Sequence, residues 1–209
     1  MGTTRLYAAL PGEKPEMSKT RLEAFSDGVF AILITIMVLE LKIPHGDDWG
    51  SLRPVLPVFA AYVLSFAYLG IYWNNHHHML HAAERVSGPI LWANHHLLFW
   101  LSLVPFVTGW MGENHYAPVP TAAYGAVMVM SAVSYTLLQQ AILLHHGPDS
   151  RIARAVGGDG KGKLSLALYI AAVPLAFVNQ WISDAIYVAV ALIWFVPDRR
   201  LEAQPRHGG

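Results

Sequence analysis

Three stretches of this chain, 55–72, 90–111 and 119–144, contain no Asp, Glu, Lys or Arg. Each is close to or beyond the roughly 20 apolar residues that a helix needs to cross a hydrocarbon core about 30 Å thick. Composition agrees: 54% of the 209 residues are hydrophobic and only 13% charged, where a soluble domain carries about a quarter charged. The charge deficit weighs more than the apolar excess. The chain reads as an all-α, polytopic protein of the cell (inner or plasma) membrane, crossing it several times.

Two further apolar segments complete the count. One follows Thr20 and ends before Pro44; the other, 164–196, would rise about 50 Å as one helix, too long for a single crossing. Asn179, Gln180, Ser183 and Asp184 interrupt it midway, so it divides in two. The expected spans are 20–43, 54–79, 89–111, 118–144, 163–180 and 183–197, forming one six-helix membrane domain (20–197) without internal repeat. A polar tail, 1–19, precedes it; this tail lacks the apolar core of a signal peptide. A second tail, 198–209, follows. Lys and Arg concentrate on cytoplasmic loops. With six spans and both termini inside, the inner segments hold Arg5, Lys14, Lys19, Arg21, Arg85, Arg151, Arg154, Lys161, Lys163, Arg199, Arg200 and Arg206, and the outer ones only Lys42 and Arg53. Trp49, Trp73, Trp92, Trp110, Trp181 and Trp194 fall near the expected helix ends, where indole favours the interface. The Gly-rich, charged segment 145–163 reads as a cytoplasmic loop. A formal net charge of zero offers no basic face for nucleic acid, and the absence of cysteine removes disulfides, thiolate metal sites and cysteine nucleophiles.

The first span carries the most information. Thr20 and Glu23 have the spacing of a capping box, and Pro44 with Gly46 should stop the helix. Ser26 and Asp27 then lie a turn or two inside the membrane, where a carboxylate requires a partner or water. Ile32, Ile36 and Leu39 share one face, continued by Ile43 and, toward the inside, by Gly28 or Val29. On residues alone, this stripe is either a packing face or the lining of a pore.

The run Arg21-Leu22-Glu23-Ala24-Phe25-Ser26-Asp27-Gly28-Val29-Phe30-Ala31-Ile32 resembles the signature of the transmembrane protein 175 family. These are potassium channels of endosomes and lysosomes, with bacterial relatives. Trp194-Phe195-Val196-Pro197-Asp198-Arg199-Arg200 resembles the end of bacterial members. The resemblance implies a single-repeat, bacterial-type channel that assembles as a homotetramer around four first helices, with potassium as the permeant ion and no cofactor. It implies a constriction at Ile32, further narrow rings at Ile36 and Leu39, and a hydroxyl position at Thr35. Like the family, the chain has no Thr-Val-Gly-Tyr-Gly filter, so a carbonyl cage of that kind is unavailable. Rings of apolar side chains would instead gate by expelling water.

Eleven histidines are many for this length. His76, His77, His78 and His81 close the second span, and His95 and His96 open the third, all at the depth of Ser26 and Asp27. Trp73, His77 and His81 share one helix face. The expected arrangement is a structural clamp in which Trp73, Asn74, His77 and His95 hold Arg21, Ser26 and Asp27 around Phe25, with Gly28 the last residue of the Phe-Ser-Asp-Gly word. Haem or metal ligation and a proton relay are the competing readings of these imidazoles. No catalytic residue, metal site, Ser/His/Asp arrangement or phosphate loop stands out, so the chain is not expected to be an enzyme. A proton-coupled small-cation transporter is the alternative to a channel. It would show discontinuous helices, which Pro105 and Pro174 could supply, and polar groups at mid-membrane. Asp47, Asp48 and Glu113 either concentrate cations at the outer mouth or are ordinary solvated loop residues.

Overall fold

A computed structural model of the chain describes residues 18–83, 85–147 and 159–195. Most of the expected N-terminal tail, most of the loop between 145 and 163, and the closing motif beyond Phe195 with the C-terminal tail lie outside the described residues. In chain order, the helices are α1 (Lys19–Leu39), α2 (Leu56–Ala82), α3 (Gly88–Ser102), α4 (Val104–Glu113), α5 (Pro118–His146) and α6 (Gly160–Phe195), with a 3-10 turn, Trp49–Val55, leading into α2. Counting α3 and α4 together, and the turn with α2, five segments are long and apolar enough to cross a membrane. The described residues are all helix and connection.

The start of α1 departs from the expected capping box. The helix begins at Lys19, with Ser18 as N-cap and no capping bond from its side chain. Thr20 is therefore already inside the first turn, where its hydroxyl cannot cap. Glu23 faces Lys19 instead, at 3.8 Å one turn away. At the far end, α1 stops at Leu39 rather than running to 43. Pro44 bars Ile43 from helical geometry, and the Leu41 N–H closes the last turn on the Val38 carbonyl at 3.2 Å.

The third apolar segment is broken. Pro105 has no N–H to offer the Leu101 carbonyl. The helix halts at Leu103, whose own N–H turns to the carbonyls of Leu101 and Trp100, and restarts as α4. The Leu103 N–H thus answers the carbonyls beside the break, and just beyond it Thr108 Oγ1 donates to the Val104 carbonyl (2.6 Å) while Ser65 Oγ lies 2.7 Å from Thr108 Oγ1 and 3.2 Å from Tyr124 Oη.

The last segment doubles back at Asn179, whose backbone (φ −160°, ψ 109°) is extended rather than helical. Its side-chain Oδ1 accepts the Trp181 N–H at 3.0 Å and caps the second limb. Ser183 Oγ donates to the Ala172 carbonyl (2.7 Å), and Trp194 Nε1 donates to Ser165 Oγ (2.9 Å). Residues 165 and 194 would sit some 40 Å apart on a straight helix, so these bonds require two limbs packed side by side. Pro174 lies within the first limb without ending it.

The core runs through the centre of the bundle. Tyr68 and Leu69 of α2, Ile90 and Leu97 of α3, Met128 and Leu138 of α5, and Tyr169 and Tyr187 of α6 are buried there. Helix α5 packs on α6 and α3, and α2 on α4, while α1 lies against α2, α4 and α3. Among the described glycines, the tightest approach to another helix's backbone is at Gly112, where a Cβ would come within 2.6 Å of Val58 Cα in α2. Gly112→Ala should therefore push α2 and α4 apart, lowering stability by about 1–3 kcal/mol. Gly109→Ala, whose Cβ would meet only Glu40 Oε2 at 3.8 Å, should behave as wild type. Thermal melts of the detergent-purified proteins, followed by size-exclusion chromatography, compare the two.

Candidate pore helix and its anchor

Helix α1 has two unlike faces. Leu22, Ser26, Phe30, Leu33 and Met37 are buried against the rest of the chain. The other face stands free: Ile32 is 56% exposed, Ile36 40% and Leu39 80%, while Phe30 is 1% exposed. Gly28 and Thr35 are exposed too. Gly28, Ile32, Thr35, Ile36 and Leu39 thus form one stripe at helical spacing that no other element covers among the described residues. Thr35 Oγ1 donates back to the carbonyls of Ala31 (3.0 Å) and Ile32 (2.9 Å). Its proton is used within its own helix, and its lone pairs are left for the open side.

What fixes the orientation of that stripe is a chain of polar contacts on the buried side. Ser26 Oγ donates to the Leu22 carbonyl at 2.9 Å and accepts from Asn94 Nδ2 at 3.1 Å. With its amide nitrogen so used, Asn94 presents Oδ1 to His76 Nε2 at 2.7 Å. The sequence of donors therefore places the imidazole proton on Nε2. Ser26, Asn94 and His76 are all buried, and the His76 ring sits 5.5 Å from that of Phe30. One polar thread ties α1, α3 and α2 together.

A second set of contacts lies toward the surface. Trp73 Nε1 donates to Asp27 Oδ1 at 2.9 Å, giving the carboxylate a partner. Phe25 stacks on His95 at 5.6 Å between ring centres, and Trp73, His77 and His81 stack along α2 at 5.9 and 6.1 Å. At the base of the helix, Lys19 Nζ donates to the His81 carbonyl at 2.7 Å. Of the residues singled out from sequence, Phe25, Ser26, Asp27, Trp73 and His95 come together. Among the described residues, Asn74 is exposed and makes no hydrogen bond to α1, His77 stacks on Trp73, and Arg21 is exposed with no ion pair. The residues that do bond Ser26 are Asn94 and, beyond it, His76, which sequence reasoning passed over. A signal for both was present. Asn94 interrupts the buried series Ile90, Leu97, Leu101 of α3, and His76 the series Leu69, Tyr72, Met79, Leu80 of α2. A polar side chain set in an apolar stripe needs a bonded partner across the interface.

Among the described residues, no three His, Asp or Glu side chains converge as a metal site would require. The imidazoles are dispersed: His76 bonds Asn94, His96 lies between Ser134 Oγ (2.9 Å) and Trp100 Nε1 (3.1 Å), and His95 bonds its own helix at Leu91 (2.8 Å). On the opposite rim, Lys42 Nζ pairs with Glu113 Oε1 at 2.6 Å, and the Glu113 hydrogen bond holds the lysine above its ordinary pKa. Asp48 accepts the Ser51 N–H at 2.9 Å and caps the 3-10 turn.

Residues 21–105 match the family model described as the endosomal/lysosomal potassium channel TMEM175. A potassium channel of Chryseobacterium sp. (strain P1-3) is 51% identical over 186 residues, covering 89% of this chain and 97% of that one. The chain belongs to the TMEM175 family. Another relative, a potassium channel of Streptomyces collinus, is 33% identical over 189 residues, covering 83% of this chain and 90% of that protein. The crystal structure of a lysosomal potassium-selective channel TMEM175 homolog from Chamaesiphon minutus superposes with a TM-score of 0.73 at 29% identity, over 87% of this chain and 97% of that one. The chain is accordingly a multi-pass membrane protein, and its TMEM175 signature, Arg21 to Ile32, falls on the anchored start of α1 and the first two residues of its open stripe.

Replacing Asn94 by Leu would leave both the His76 imidazole and the Ser26 hydroxyl short of a partner, each costing about 1–3 kcal/mol. Asn94→Leu should lower the melting temperature of the purified protein sharply, whereas Asn74→Leu, at an exposed position, should move it little. Equal shifts would remove the anchor from this account.

Proposed function

We propose that this chain is a potassium channel whose pore is lined by the open stripe of α1, contributed by each subunit of a homotetramer. The observation that carries the reading is the division of α1 into a bonded, buried face and a free apolar face of the same length. A stripe of Ile and Leu on lipid would need no polar thread behind it; a stripe that must point at a symmetry axis does. In the assembled channel, Ile32, Ile36 and Leu39 form successive apolar rings. An ion cannot enter such a ring without shedding water, so the ring blocks until it widens enough to wet. Thr35 sits between Ile32 and Ile36 and offers hydroxyl oxygens, whose free lone pairs suit a cation in transit. No cofactor takes part, and potassium is the permeant ion.

Six crossings with both termini cytoplasmic complete the reading. Two features support it: the reversal at Asn179, and the concentration of Lys and Arg on the segments that this topology places inside. Ser26, Asp27, Trp73, Asn94 and His76 then act as a structural clamp at the inner end of the pore helix, not as a catalytic group. The break at Leu103 is the kind of discontinuity that a transporter uses. Here, however, it is closed by the hydroxyls of Ser65, Thr108 and Tyr124, with no Asp, Glu, Lys, Arg or His in that set of hydrogen bonds, which favours a channel over a carrier or an enzyme.

Liposomes loaded with potassium against external sodium test the proposal. Wild-type protein should pass potassium in preference to sodium, and single-channel steps should appear in a planar bilayer. Ile32→Asn should raise the leak by about tenfold and reduce the preference, since a polar ring wets more readily. Flux unaltered by this substitution would move the gate away from Ile32.

A further inference from the structure

Four polar residues divide the segment 164–196, and Asp184 is the only one of them with an ionisable side chain. Asn179 caps the second limb of α6, and Ser183 bonds the Ala172 carbonyl. Asp184 does nothing comparable. Both of its carboxyl oxygens are buried, and neither has a hydrogen-bond partner among the described residues. A carboxyl group left in that state inside a membrane helix is costly to keep and points to a ligand.

Three tyrosines lie within reach of its charge: Tyr116 between α4 and α5, Tyr124 of α5, and Tyr187 on its own limb. Their hydroxyl protons are all spent elsewhere. Tyr116 Oη donates to the Pro57 carbonyl at 2.8 Å, and Tyr187 Oη to the Thr121 carbonyl at 3.1 Å. Thr108 gives its proton to the Val104 carbonyl, so Ser65 donates to Thr108 and Tyr124 in turn to Ser65. The neighbouring hydroxyls can therefore accept a hydrogen bond but not give one. The first limb of α6 adds no charge: between Leu164 and Val178 its only titratable side chain is Tyr169, whose ring lies 6.4 Å from that of Tyr187. At the same end of the bundle, Lys42 and Glu113 pair with each other at 2.6 Å, and His115, beside Tyr116, is exposed. Trp181, three residues before Asp184, lays its ring 5.7 Å from that of Tyr116.

These surroundings discriminate between ligands. An ionised carboxylate needs donors or a cation beside it, and a metal ion needs several oxygens around it. Among the described residues, no three His, Asp or Glu side chains converge. A proton needs one oxygen only and removes the charge, and a neutral acid is far cheaper to bury than an ion. We propose that Asp184 is a proton-binding site, occupied in the packed bundle and closed by the Trp181–Tyr116 ring pair. Release of the proton would leave a bare carboxylate among acceptors. The second limb of α6 must therefore part from the α4–α5 turn and admit water, which takes the proton, before the site can empty. Asp184 thereby ties the seating of the hairpin to pH, at a place that shares no residue with the α1 stripe.

Infrared difference spectroscopy of the purified, full-length protein in lipid bilayers reads the proton directly, because the C=O stretch of a carboxylic acid is separate from the bands of a carboxylate. At neutral pH the wild-type protein should show an acid band that is missing from Asp184→Asn, a neutral variant of nearly the same size. Asp184→Glu should retain an acid band at a shifted frequency. Titration toward alkaline pH should remove the wild-type band, and Trp181→Ala, which opens the site to water, should lose it at an at least about tenfold higher proton concentration. Thermal melts give a second reading. Wild type should lose stability as pH rises, because the folded chain holds a proton that the unfolded chain has released, and Asp184→Asn should lack that part of the loss. No acid band in the wild-type protein at neutral pH, or the same band in Asp184→Asn, would overturn the site. A band that titrates at the wild-type pH in Trp181→Ala would overturn its closure.

Discussion

In hydrocarbon, a polar side chain that is not bonded within its own protein has no water to turn to, and the orientation of α1 follows from that constraint. Ser26, Asn94 and His76 can satisfy one another only when α1 is rotated so that Leu22, Ser26, Phe30 and Leu33 face inward. Rotating α1 by even one residue, about 100°, would break the thread and bury the wrong stripe. Trp73 on Asp27 and His95 beneath Phe25 brace the same end. The free stripe therefore owes its direction to bonds made on the opposite side of the helix.

The same rule governs the rest of the bundle. Helices break at Leu103 and Asn179, and at both points exposed backbone is answered locally: by the Leu103 N–H turning back on its own helix, and by Asn179 on the Trp181 N–H. Tyrosine hydroxyls do similar work across helices. Tyr68 donates to the Tyr187 carbonyl, Tyr187 to the Thr121 carbonyl, and Tyr116 to the Pro57 carbonyl. Close contact then depends on small residues such as Gly112, since helices in lipid gain little from the hydrophobic effect and associate by packing and hydrogen bonds.

Much of this was legible in the sequence, for specific reasons. Uncharged runs announced α2, α3 with α4, and α5, because length without charge admits few other structures in a chain of this composition. The reversal near Asn179 was legible from excess length and from a polar cluster at mid-run. The stripe of Ile32, Ile36 and Leu39 could be read from spacing, but not whether it packed or stood free; only the burial of Ser26, Phe30 and Leu33 on the other face separates those readings. The anchor was legible in part. Trp73 and Asp27 could be matched by depth, whereas Asn94 and His76 were overlooked in favour of their neighbours Asn74, His77 and His95. Depth is shared by adjacent residues on a helix, but direction is not, and direction depends on how α2 and α3 are rotated against α1. The capping box failed for a similar reason: its spacing was present, yet the helix began two residues too early for Thr20 to use it.

The central claim is that the free face of α1 borders the ion path. The chain contains no cysteine, so a single introduced thiol reports on its own position without background. Thr35→Cys, on the open stripe, and Met37→Cys, on the buried face, should be compared for inhibition of potassium flux by silver ion, a thiol-reactive cation small enough to follow potassium. The account predicts rapid, irreversible block of the Thr35→Cys protein and no change in Met37→Cys. Block at Met37→Cys with Thr35→Cys untouched would contradict it.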